Sequence, residues 1–151
     1  MKISIESPDQ PELLALIDAL DAYQKPLYPA ESHHGIDIAA LMAPEVRFAV
    51  ARDTQGGALG IGAVVLQPAF GELKRMYVPP AHRGRGIARA LLATLEAQAR
   101  AAGVGALRLE TGIRQPEALA LYEGAGFVRC GPFGDYVDDP FSVFMVKPLT
   151  S

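Results

Sequence analysis

The stretch HRGRGIARALLATL (His82–Leu95) combines two arginines and two glycines with the opening of an apolar periodicity. Ile87, Leu91, Leu95 and Ala99 recur every fourth residue, and Ala88 and Leu92 widen the stripe. Arg89, Glu96 and Arg100 fall on the opposite face. That spacing predicts an amphipathic helix from about Gly86 to Ala102, with Gly103 as its stop. The first amides of a helix have no internal acceptor, and the helix dipole adds positive potential there. Glycine removes the side chains that keep an anion from the backbone, and the arginines supply further charge. The turn therefore reads as an anion site, beside the plainer reading of a helix start with solvated arginines. A Rossmann dinucleotide turn is a poor match, because Arg89 stands where its third glycine belongs, and the Gly-Lys-Ser/Thr of a Walker A loop is absent.

Working outward, GELKRMYVPP (Gly71–Pro80) precedes this helix. It belongs to a predicted strand over Phe70–Val78, which Pro79 and Pro80 terminate because proline lacks the ladder N–H. ALRLET (Ala106–Thr111) is the strand that follows. Strand, helix and strand form a crossover, hence a locally parallel pair. Val46–Ala51 and Ala58–Leu66 flank the turn DTQGG and form an antiparallel hairpin, so the sheet is mixed. Toward the N-terminus, Lys2–Glu6 alternates as a strand. Asp9 and Glu12 have the spacing of a capping box, with Pro11 in the first turn of a helix running to about Tyr23. Gln24–Glu45 begins as a loop and holds a short helix near Ile36–Met42. Toward the C-terminus, Pro116 opens a helix through about Ala125, stopped by Gly126. Phe127–Cys130 and Phe141–Lys147 are the last strands, joined by GPFGDYVDDP (Gly131–Pro140). The order is β-α-α-β-β-β-α-β-α-β-β, an α/β chain.

The 151 residues suit one domain over residues 1–151, and 50% hydrophobic with 21% charged residues is ordinary globular composition. A net charge of −3 argues against nucleic acid as a partner. The single cysteine, Cys130, cannot form an internal disulfide and reads as a small half-buried strand residue. No Cys/His spacing suggests a metal site. The N-terminus has no secretory h-region, and the longest apolar run, GALGIGAVVL (Gly57–Leu66), is short of the ~18 residues of a membrane helix. The expectation is a cytoplasmic protein with no membrane partner.

At this point the sequence resembles the GNAT acetyltransferase superfamily. Arg83-x-x-Gly86-x-Ala88 matches that family's Arg/Gln-x-x-Gly-x-Gly/Ala signature, between the strand end MYVPPAHRGRG and the helix start IARALL. ALALYEGAGF (Ala118–Phe127) matches a second element, A-x-x-LYE-x-x-GF. The resemblance runs from about Val46 to Lys147. LYPAESHHGIDIAAL and CGPFGDYVDDPFSVFM resemble a bacterial subgroup of N-acetyltransferases, some linked by name to indole-acetate metabolism. The resemblance implies a GNAT fold, with a mixed central sheet of about six to seven strands, a splayed parallel pair and flanking helices. It implies acetyl-CoA as donor and no metal. The amides of Arg83, Gly84, Arg85, Gly86, Ile87 and Ala88 would hold the pyrophosphate. Met76, Tyr77 and Val78 would flank the pantetheine arm, with Val78 hydrogen-bonding it. Gln115 stands where family members often carry a cofactor-contacting Asn, and it is one methylene longer.

A lysine-like amine, with an ordinary pKa of about 10.4, is protonated at neutral pH and needs a base before it can attack a thioester. Glu72 is the first candidate, at a position where several GNAT enzymes carry a catalytic Glu; an ion pair with Lys74 on the same strand face is the alternative. Glu110, on the neighbouring strand, is the second. Tyr122 matches the family tyrosine that protonates the departing thiolate, with core packing as its alternative. Tyr28, Glu31, Ser32 and His33 in the loop after the first helix, and Tyr136 in the late loop, are candidates for reading the acceptor; His33 and His34 are also tempting bases, with a solvated or pocket-lining role as the alternative. The expected activity is acetyl transfer to a small-molecule amine. Acetylation of a protein N-terminus or lysine, or a non-catalytic acyl-CoA sensor, are the alternatives. The resemblance also allows a homodimer.

Overall fold

The structure is a computed structural model that describes residues 1–32 and 36–149. Strands are β1 (Lys2–Ile5), β2 (Val46–Arg52), β3 (Ala58–Leu66), β4 (Gly71–Tyr77), β5 (Ala106–Gly112), β6 (Val128–Cys130) and β7 (Ser142–Pro148). Helices are α1 (Pro11–Gln24), α2 (Ile38–Leu41), α3 (Ile87–Ala101) and α4 (Pro116–Gly124). The strands form one seven-stranded sheet in the order β1-β2-β3-β4-β5-β7-β6. β4 and β5 are parallel and the remaining pairs are antiparallel. This is the mixed α/β sheet that the crossover around α3 requires.

The two sheet faces are buried by different helices. Along β2, Ala49 and Ala51 join the cluster under α3, whereas Phe48 and Val50 join the cluster under α1. Period-two alternation sorts them. On α3, Ile87, Leu91, Leu92, Leu95 and Ala99 are buried, as the stripe predicts. The four larger side chains contribute about 2 kcal/mol each by apolar burial. On α1, Leu13, Ile17 and Leu20 are buried.

The proposed capping box on α1 does not form. Gln10 is the N-cap, with no side-chain cap, and Pro11 opens the helix. Proline at the first helical position has no N–H to cap. Glu12 instead reaches Arg52 at 3.5 Å, and Gln10 is engaged with Glu6 and Arg52.

One irregularity decides where a ligand fits. β4 pairs with β5 only at Gly71↔Leu107 and Glu72↔Arg108, after which the strands part. On its other edge β4 carries a bulge: Ile61 faces Tyr77 and Ala63 faces Lys74, so three steps on β4 oppose two on β3. Arg75, at φ 58°, sits inside it and is the sole non-glycine at positive φ among the described residues. A bulge bends its strand, here off β5. The left-handed conformation costs an arginine on the order of 1 kcal/mol or more.

Candidate active site

The splay opens onto a cavity of about 570 Å³. α1 contributes Leu14, Ile17, Asp18 and Asp21 to its wall; the segment after α1 contributes Tyr28, Ser32 and Ile36. β4 contributes Leu73, Lys74, Arg75 and Met76; β5 contributes Glu110, Thr111 and Gly112. Gln115, Ala118 and Tyr122 come from the start and body of α4, and Tyr136 and Phe141 from the late loop. A second cavity of about 300 Å³ lies at the start of α3, lined by Val78, His82, Arg83, Gly84, Gly86, Ile87, Ala88, Arg89 and Leu121. The two are lined by neighbouring positions of the same segments. Met76 lines the first and Val78 the second; Tyr122 lines the first and its neighbour Leu121 the second.

The second cavity has the construction of an anion cradle. Gly84 and Gly86 stand at φ 77° and 76°, a region L side chains avoid. Gly86 is the N-cap of α3, with no side chain bonded to the helix start. Among the described residues, the amides of Gly84 through Arg89 have no hydrogen-bond acceptor. A Cβ on Gly84 or Gly86 meets no atom within 4 Å, so the space above both is open. The Nε of Arg83 donates to the Val78 carbonyl at 2.9 Å, and its guanidinium lies 5.9 Å from the Tyr23 ring centroid. That bond ties the loop to Val78, just past the end of β4, the residue expected to hydrogen-bond the pantetheine arm. Arg85 does not line the cradle; its guanidinium lies 3.3 Å from His82 Nδ1. The observed cradle fits a diphosphate: open amides, helix dipole and no carboxylate on its wall.

In the larger cavity, Glu110 accepts a hydrogen bond from the Ser142 hydroxyl at 2.8 Å. Tyr122 is buried, packs edge-on against Phe127, and its hydroxyl has no hydrogen-bond partner among the described residues. Burial, and then the negative charge of Glu110, push the Tyr122 phenol well above its ordinary pKa. Gln115 accepts from the Tyr28 hydroxyl at 3.2 Å, which leaves its amide NH2 without an acceptor among the described residues. The Tyr28 oxygen also accepts from the Arg114 amide at 3.1 Å, and burial raises its pKa. Gly112 makes this contact sterically feasible: a Cβ there would stand 1.7 Å from the Tyr28 hydroxyl.

Glu72 is buried but does not line either cavity. The Tyr136 hydroxyl donates to it at 2.6 Å, and the Lys74 ammonium lies 3.3 Å away and itself donates to Tyr136 at 2.7 Å. The ion pair that its spacing to Lys74 suggests is therefore present. Burial and the bond to Glu72 push the Tyr136 phenol far up. Ser32 is buried and donates to Asp139 at 2.6 Å, tying the segment after α1 to the late loop. Glu31 is exposed and lines neither cavity, and Tyr77 packs toward the α1-side core. His33 and His34 lie outside the described residues.

Sequence reasoning missed the wall positions Arg75, Gly112 and Phe141. Only Gly112 carried a signal, as a glycine at a strand end beside the candidate Glu110. Among the described residues, no group of His, Cys, Asp or Glu could hold a metal, and no helix is long and apolar enough to cross a membrane.

Comparison with known proteins identifies the family. The acetyltransferase (GNAT) family model matches residues 13–127. Over 149 residues the chain is 49% identical to an IAA acetyltransferase of Azospirillum brasilense, covering 97% of each protein. It superposes with a TM-score of 0.84, at 43% identity, on a Klebsiella pneumoniae crystal structure, covering 99% of this chain and 97% of that one. The Klebsiella protein's own description gives acyl-CoA N-acyltransferase as a provisional assignment. An aminoglycoside 6'-N-acetyltransferase complexed with coenzyme A shares the fold alone, with a TM-score of 0.74 at 19% identity over 100% of this chain and 98% of that one. With the anion cradle on α3, the splayed β4–β5 pair and these matches together, the chain belongs to the acetyltransferase (GNAT) family and is an acyltransferase of the N-acetyltransferase type.

Proposed function

We propose that this protein transfers the acetyl group of acetyl-CoA to a primary amine of a small molecule. The observation that carries this reading is that two cavities are lined by neighbouring positions of the same segments: one holds the open amides of Gly84–Arg89, and the wall of the other holds both Glu110 and Tyr122. The diphosphate of the donor would lie on the α3 amides. Its pantetheine arm would run where β4 has left β5, toward the unoccupied NH2 of Gln115. A chamber of about 570 Å³, walled by α1, the segment after it and the late loop, has the size of a small-molecule site. The name of the Azospirillum relative also supports a small acceptor.

Acetyl-CoA supplies an activated carbonyl carbon, and this chain's residues supply the proton traffic. Glu110 is the better-placed base because it lines the chamber, whereas Glu72 lines neither cavity and bonds Tyr136 and Lys74. Glu110 takes a proton from the ammonium of the acceptor, directly or through one water. The freed nitrogen lone pair forms the new C–N bond as the C–S bond breaks, the electron pair leaves on sulfur, and the second nitrogen proton passes to that thiolate or to solvent as the neutral amide forms. Tyr122 holds its proton to high pH, so its hydroxyl remains a donor to that sulfur. Phenol is a weaker acid than a thiol, so Tyr122 stabilises the thiolate by a hydrogen bond rather than by complete transfer. In this reading Glu72 fixes Lys74 and Tyr136 on the acceptor side.

The test is calorimetry with coenzyme A, followed by thiol release from acetyl-CoA with a panel of arylalkylamines, diamines and amino acids. Saturable uptake with amine-dependent release supports the reading. Tight uptake with no amine-dependent release supports a non-catalytic acyl-CoA sensor instead.

A further inference from the structure

Arg75 occupies the β4 bulge at φ 58°, and every other described residue at positive φ is a glycine. Glycine would adopt that conformation without strain. The backbone requirement alone therefore does not account for an arginine at this position, which directs attention to its side chain. The guanidinium is buried, with 8% side-chain exposure. Its Nη1 donates to the Asp21 carboxylate at 2.5 Å, in the last turns of α1. Its Nε and Nη2 donate at 3.2 and 2.9 Å to the single carbonyl of Ile36, just before α2. Asp21, Ile36 and Arg75 all line the larger cavity. A planar fork reaches a carbonyl and a carboxylate at once, which an ammonium cannot do.

We propose that Arg75 is a positioning residue for the acceptor, joining the donor side of the site to the acceptor side. This rests on the acetyl-transfer reading above. Its backbone forms the bulge that parts β4 from β5, where the thioester would be presented. Its side chain holds the two pieces of the opposite wall, the end of α1 and the approach to α2, at a fixed distance from that slot. A wall held in its bound shape before the amine arrives loses less freedom when the amine binds, so the clamp acts on acceptor affinity rather than on the chemical step.

Arg75→Gly separates the two functions, because glycine keeps the bulge and removes the clamp. The acceptor is the amine from the panel with the highest kcat/KM. For Arg75→Gly, the acceptor KM rises at least about tenfold while kcat and the coenzyme A Kd stay within about twofold. Arg75→Lys, which retains the charge near Asp21, recovers part of the KM. Asp21→Asn raises the KM too, and the double variant is no worse than Arg75→Gly alone, because both remove one interaction. Without any acceptor, amide hydrogen exchange of residues 25–32 and 36–41 quickens by about tenfold in Arg75→Gly, with α3 unchanged. An unchanged acceptor KM, unchanged exchange, or equal losses of coenzyme A and acceptor affinity would overturn the proposal. Failure of the wild-type protein to take up coenzyme A would instead count against acetyl transfer, and the exchange measurement would then decide the clamp by itself.

Discussion

Glu110 and Tyr122 face one chamber from β5 and α4, and the charge of the first helps keep the proton on the second. A carboxylate and a phenol thus line one cavity, with the phenol hydroxyl free of protein partners among the described residues. Tyr122→Phe removes only that donor. It should lower kcat by about ten- to a hundredfold while the coenzyme A Kd, read by calorimetry, changes by less than about twofold. Unchanged turnover would remove Tyr122 from the chemistry.

The two carboxylates should separate in their effects. Glu110→Gln keeps the shape of the chamber wall but cannot take a proton, so kcat falls by about a hundredfold or more. Glu72→Gln loosens Tyr136 and Lys74 and should act mainly on the acceptor KM. Steady-state thiol release on both variants checks the ranking. A larger kcat loss for Glu72→Gln would return the base to β4.

Gly112 and Tyr28 form a steric pair. A Cβ at Gly112 would stand 1.7 Å from the Tyr28 hydroxyl, so Gly112→Ala must displace the ring. Overpacking of this kind costs about 1–3 kcal/mol. In a Tyr28→Ala background the same substitution should cost almost nothing, because the obstructing ring is gone. Denaturant melts of the four proteins measure the coupling. An equal cost in both backgrounds would place the strain elsewhere.

Glu6 gives a prediction for acid stability. The hydrogen bonds from Arg52 come first among the causes that hold its pKa at about 2, against an ordinary value of 4.5. The pair is at 2.8 Å and largely shielded, with side-chain exposures of 17% and 19%. A lowered carboxylate pKa stabilises the fold fully above pH 4.5, and that stability is lost as pH falls from 4.5 toward 2. Discounted for screening, the contribution is on the order of 2 kcal/mol. Arg52→Gln should therefore be less stable than wild type at pH 7, with the gap narrowing below pH 4.5. A gap that is constant with pH would contradict the assignment.

Much of this architecture was legible because it is written in local periodicity. The α3 stripe, the proline stop after β4 and the crossover to β5 follow from residues close in sequence, and so do Gly84 and Gly86 at the opening of α3. The Glu72–Lys74 pair was legible for the same reason, since the two are two residues apart on one strand. The Arg75 bulge was not, because no glycine marks it and its partners, Asp21 and Ile36, are 54 and 39 residues away. Tyr28 meeting Gln115 across 87 residues is likewise a product of tertiary packing. The missing cap on α1 shows the same limit: Asp9 and Glu12 had the right spacing, but Gln10 took the cap position and Glu12 found Arg52 across 40 residues.

Acetyl transfer by this protein requires the open amides of Gly84 through Arg89 to hold the diphosphate of coenzyme A. Calorimetry comparing coenzyme A with pantetheine, which lacks the diphosphate, tests it most directly. Saturable one-to-one uptake of coenzyme A is expected, with binding of pantetheine weaker by about a hundredfold or more. Equal affinity for the two, or no uptake of coenzyme A at all, would contradict it.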